Sequence, residues 1–132
     1  MSELKKGNIV TALYKTGKYI GEITETRSHH FVVKILAVLK HPRQGDLHHP
    51  KDVDVPLFHE RKALAYTERA NIPLKMVKPY DGEIDNYHLS LKKAFAELKR
   101  ELTKESTPYS DKSLQALNGV QKEYELMYSI KM

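Results

Sequence analysis

Apolar and polar positions alternate along the first part of the chain, and beyond residue 82 the spacing becomes helical. Asn8–Lys15 and Lys18–Thr26 read as two strands joined by a tight Thr16-Gly17 turn. Ile9 and Leu13 fall on one face of the first strand, Val10 and Tyr14 on the other. Gly21 interrupts the second strand and predicts a bulge, the bend that a small barrel needs at a corner. The clearest strand follows the polar run Arg27-Ser28-His29-His30. There Phe31, Val33, Ile35, Ala37 and Leu39 alternate with Val32, Lys34, Leu36, Val38 and Lys40, and apolar residues on both faces predict an interior strand.

His41 to Pro56 breaks the alternation. Pro42, Gly45, Pro50 and Pro56, interspersed with histidines and aspartates, mark a long surface loop. Phe58–Tyr66 is the next strand candidate, although Arg61, Lys62 and the alanines favour helix. Asn71-Ile72-Pro73 reads as a turn, and Leu74–Val77 as a short last element before Pro79. Five short strands with one long loop predict a small antiparallel β-barrel over residues 1–82.

Residues 83–132 predict a helical hairpin, which makes the fold class α+β. Asp85 is the expected N-cap of a first helix, in which Tyr87, Leu91, Phe95, Leu98 and Leu102 span an arc of about 80° on one face. Thr107 as N-cap and Pro108 at the first helical position start a second helix. Leu114, Leu117, Val120, Tyr124, Met127 and Tyr128 form its apolar stripe. Burying about ten large side chains at about 1.5–3 kcal/mol each does not offset the roughly 1–2 kcal/mol per residue lost on ordering such a segment. The stripes must therefore dock on the barrel or on another chain, and a homodimer through the hairpin is the simplest form of the second arrangement.

Composition narrows the chemistry. Among 132 residues there is no cysteine, which removes disulfides, thiolate ligands and thiol nucleophiles and suits a reducing compartment. The opening MSELKKGNIV has no apolar signal-peptide core, and the longest apolar run, Ile35 to Leu39, is too short to span a bilayer. The expected location is cytoplasmic, with any membrane recruitment made by a partner. Eight tyrosines against three phenylalanines and no tryptophan predict an aliphatic core whose edge carries phenol groups reaching polar partners. The net charge of +5 sits entirely in residues 1–82, with 14 Lys and Arg against 9 Asp and Glu; residues 83–132 carry 8 of each. That excess favours an anionic partner or simply solubility.

The histidine-rich loop is the most suggestive site. Asp46, His48, His49, His59 and Glu60 supply ligand types that zinc or manganese uses, which opens the reading of a metal-dependent enzyme, but their spacing matches no known metal motif. His41, Arg43, Asp46, His48, His49, His59 and Arg61 are the candidate partner contacts, because long polar loops on small scaffolds commonly carry function. A nucleic-acid-binding module is the other alternative, resting on Lys15, Lys18, Lys40, Arg43, Lys75 and Lys78 with nearby tyrosines. No serine lies in a nucleophile elbow and no glycine loop is built to cradle phosphate, so a non-enzymatic protein without catalytic residues or cofactor is expected.

The strings YKTGKYIGEIT (Tyr14–Thr24), HPRQGDLHHP (His41–Pro50), PLFHERKALAY (Pro56–Tyr66), NIPLKMVKPY (Asn71–Tyr80) and AFAEL (Ala94–Leu98) carry a wider likeness. Over about residues 6–128 the chain resembles the kinase-associated lipoprotein B family of sporulating bacilli. The resemblance implies an SH3-like barrel followed by a helical hairpin. It also implies a regulatory role beside a membrane sensor histidine kinase that feeds the sporulation phosphorelay. A lipid anchor requires a cysteine behind a signal peptide, and this sequence has neither, so contact with such a kinase is expected from the cytoplasmic side.

Overall fold

A computed structural model describes residues 3–45, 53–54 and 58–132. Its strands are β1 (Ile9–Tyr14), β2 (Gly17–Thr26), β3 (His30–Lys40), β4 (Arg69–Pro73) and β5 (Val77–Pro79), followed by the helices α1 (Tyr87–Glu105) and α2 (Pro108–Tyr128). The five strands form one antiparallel sheet in the order β4-β3-β2-β1-β5, and β1 and β4 also come into contact across its open side.

Alternation puts Val10 and Ala12 of β1 inside the sheet and leaves Leu13 outside. Tyr14 pairs with Gly17, so the β1–β2 loop is Lys15-Thr16, one residue earlier than the Thr16-Gly17 turn predicted. Both loop residues have positive φ, 44° and 68°, the left-handed geometry that matches the twist of a two-residue hairpin. Gly21 behaves as expected: the β2–β3 register slips between Ile20 and Gly21, where a Cβ would stand 2.5 Å from Val33 Cγ1. β3 is flanked by β2 and β4 and is buried on both faces, as its composition demands.

The fourth strand is misplaced by sequence reasoning. Phe58–Tyr66 contains no strand, whereas Arg69–Pro73, read as containing a turn, is β4 and pairs with His30–Lys34. Leu74–Met76 forms a single 3-10 turn before β5. Propensity pointed to neither, because pairing against β3 decides the matter.

The helix predictions need smaller corrections. Asn86, not Asp85, caps α1: its Oδ1 accepts from the backbone N–H of His88 at 3.0 Å and of Leu89 at 3.4 Å. Asp85 instead pairs with Lys93 at 3.1 Å. Thr107 caps α2 in a reciprocal capping box with Ser110, with Pro108 just inside. All five residues of the α1 stripe are buried. In α2, Leu117, Val120 and Tyr124 are buried and Leu114 and Tyr128 half-buried, but Met127 is 56% exposed. Tyr109, Ser110, Ser113 and Ala116 occupy the buried face that the predicted stripe omitted. One continuous hydrophobic cluster includes residues of the sheet and of both helices, so the apolar stripes, Met127 apart, pack within the chain.

Candidate functional site

The chain leaves β3 at Lys40 and enters a seam between the sheet and the helices. His41 is 4% exposed, and its ring lies edge-on to Phe95 at 5.3 Å and to Tyr124 at 5.8 Å. Its Nδ1 is 2.9 Å from the Pro42 carbonyl, which can only accept, so Nδ1 carries the proton. Nε2 is then the acceptor for the Tyr124 hydroxyl at 2.8 Å. The same hydroxyl oxygen accepts from the backbone N–H of Ala63 at 2.7 Å. A neutral imidazole thus completes a fully satisfied relay, and burial lowers its pKa to about 4.

Gln44, also buried, continues the seam. Its side-chain amide donates to the carbonyl of Arg61 at 3.0 Å and accepts from the Arg61 N–H at 2.7 Å, mimicking a strand partner. Gly45 N–H donates to the His59 carbonyl, and Arg61 Nη2 donates back to the Gly45 carbonyl at 2.9 Å. Tyr109 donates to the Gln44 carbonyl, Tyr87 donates to the Leu64 carbonyl, and Tyr19 accepts from the Leu64 N–H. Residues 58–65 therefore run without a ladder, and side chains from four other elements satisfy much of their backbone. The excess of tyrosine over phenylalanine has this meaning: each phenol buries a ring and delivers one hydroxyl to an otherwise orphaned main-chain group. Burial pushes the Tyr19 hydroxyl up to about 12 and raises those of Tyr87 and Tyr124 further, so all three stay protonated.

The predicted contact residues separate accordingly. His41 is enclosed and bonded on both nitrogens, and Arg61 is tied to the seam, so these two serve the fold rather than an open surface. Arg43, His59 and Glu60 are exposed, and Asp46, His48 and His49 lie outside the described residues. Among the described residues, no group of three or more His, Asp and Glu is placed to hold a metal ion. Sequence reasoning missed Gln44 and the roles of Tyr19, Tyr87, Tyr109 and Tyr124; only the tyrosine count signalled them.

Two residues beyond His41 the chain surfaces again. The N–H of Arg43 donates to Thr16 Oγ1 at 2.9 Å, which fastens the start of the loop to the tip of the β1–β2 hairpin. Beside that junction Lys18 pairs directly with Lys40 across β2 and β3. This end of the sheet thus gathers Lys18, Lys40 and Arg43 into a basic rim.

This arrangement has relatives. The sequence profile of a family described as kinase-associated protein B matches residues 14–125. The chain belongs to this family. It is 55% identical over 124 residues to the kinase-associated lipoprotein B of Bacillus subtilis (strain 168), covering 94% of this chain and 97% of that protein. A crystal structure of kinase-associated protein B from Bacillus cereus superposes with a TM-score of 0.80 at 43% identity, over 93% of this chain and 99% of that one. The α+β architecture is thus that of a solved family member. No helix among the described residues is long and apolar enough to cross a membrane.

Proposed function

We propose that this chain is a non-catalytic accessory protein that binds a sensor histidine kinase of the sporulation phosphorelay, using an SH3-like barrel braced by the helical hairpin. Membership of a family described as kinase-associated carries the reading. The molecule's use of its polar groups agrees with it. His41 and four tyrosines, the buried groups that could serve acid–base work, are each engaged in holding the loop and helices to the sheet. Exposed cations gather on the rim, suited to contact rather than to turnover.

The contact surface under this reading is the rim that includes Arg43, with His59 and Glu60 at its flank. Purified chain titrated calorimetrically into the cytoplasmic portions of sensor histidine kinases from the same cell should show saturable binding to one of them. Its presence should also alter that kinase's autophosphorylation rate. Absence of binding to every such kinase would overturn the reading, and turnover of a small substrate by the pure chain would overturn its non-catalytic part.

A further inference from the structure

Four cations converge on the end of the sheet where the β1–β2 hairpin, the last residues of β3 and the start of the loop meet. Leu13 pairs with Lys18, and Lys18 pairs with Lys40, so the three side chains form one outward row across three strands. Tyr19, next along β2, points the other way and is 1% exposed, which fixes the row on the outer face. Lys15 occupies the hairpin tip, and Arg43 is held against that tip by its backbone bond to Thr16. Leu13, the strand partner of Lys18, is 48% exposed and Leu39, next to Lys40 in the chain, is 39% exposed, so apolar surface adjoins the charges.

Two features of this end run against what folding alone would favour. Like charges directly opposite on adjacent strands destabilise a sheet, and here Lys18 faces Lys40. A two-residue hairpin loop normally takes Asn-Gly, whereas this one takes Lys15-Thr16, with the β-branched Thr16 at φ 68°. Such local conflict is characteristic of binding sites. Among the described residues none of the four cations forms an ion pair, although Lys34, Lys62 and Lys93 elsewhere do.

We infer that this rim binds an acidic segment of a partner protein, one that carries apolar side chains among its carboxylates. Charge complementarity selects an anion, and Leu13 and Leu39 select one with apolar groups. A single-stranded nucleic acid needs exposed rings to stack on, and this end has none: Tyr19 is buried and Tyr14 is half-buried with Lys15 over its ring at 5.3 Å. The inference adds the partner's chemistry to the accessory role proposed above, and it can fail separately from that role.

The test uses the full chain and a fluorescent peptide of alternating glutamate and leucine, followed by anisotropy at low and physiological salt. K15Q/K18Q/K40Q/R43Q together should weaken binding about tenfold or more, whereas K5Q/K6Q/K92Q/K122Q, the same loss of charge at exposed sites elsewhere, should leave it nearly unchanged. K40E should weaken peptide binding while its melting temperature holds or rises, because it replaces a like-charge pair with an opposite one. Equal weakening by the two quadruple variants would overturn the inference, since net charge alone would then be responsible. Tighter binding of an oligonucleotide, or of vesicles rich in anionic lipid, than of the peptide would overturn it as well. If kinase capture survives the loss of the four cations, the rim inference falls and the accessory role stands. If the peptide binds and no kinase does, the reverse holds.

Discussion

His41 and Arg43 are two residues apart in one polar loop, yet one is sealed inside the molecule and the other stands on its surface. His41 has both ring nitrogens bonded within the chain, to Pro42 and Tyr124. Arg43 bonds through its backbone N–H to Thr16, and the residue is exposed. The seam and the rim thus share a segment and obey opposite rules. In the seam His41, Gln44, Tyr124 and the backbone they reach are paired, because an unmet buried donor or acceptor costs about 1–3 kcal/mol. On the rim, among the described residues, Lys15, Lys18, Lys40 and Arg43 form no ion pair, and water solvates such cations at little cost.

Acid should break the seam hardest. The unfolded imidazole takes up its proton near 6.5, while burial holds the folded His41 down to about 4. Between these values the unfolded chain holds more protons, so stability is complete above 6.5 and falls as the pH drops towards 4. The loss should reach about 3 kcal/mol at its acid limit. Urea unfolding across this pH range measures it, and the slope attributable to this group should disappear in His41→Gln. Arg43→Gln should leave the same profile unmoved.

Removing one oxygen sharpens the contrast. Tyr124→Phe deletes the donor to His41 and the acceptor of the Ala63 N–H while keeping the ring, and should cost about 2–3 kcal/mol in urea unfolding. Tyr87→Phe loses the bond to the Leu64 carbonyl and should cost about 1 kcal/mol. A cost for Tyr124→Phe no larger than that for Tyr87→Phe would show that the relay is not cooperative. Arg43→Gln should change stability by less than about 0.5 kcal/mol, the usual range for an exposed position. A loss comparable to that of the seam variants would place Arg43 in the fold after all.

Much of the architecture was legible because it follows local geometry. The period-two run in Phe31–Leu39 and the α1 stripe from Tyr87 to Leu102 each state their own buried face. Thr107-Pro108 and Gly21 signal a cap and a bulge through the conformations their residues prefer. Legibility failed where a segment satisfies its backbone at a distance. Phe58–Tyr66, the weakest strand candidate, finds a glutamine amide and phenol hydroxyls in place of a ladder. The candidate site suffered most: histidine and arginine in a proline-rich loop look alike whether they face solvent or fill a seam.

By itself the sequence determined the β-to-α order, the absence of thiol chemistry, the location of the positive charge and a surplus of phenol groups. Tertiary structure alone decided which loop residues those phenols would reach, and therefore that His41 is interior and Arg43 exterior. The physical reason is range. Periodicity and capping act over a few residues, whereas the Tyr124 hydroxyl meets partners 61 and 83 positions away, and nothing local encodes such a meeting.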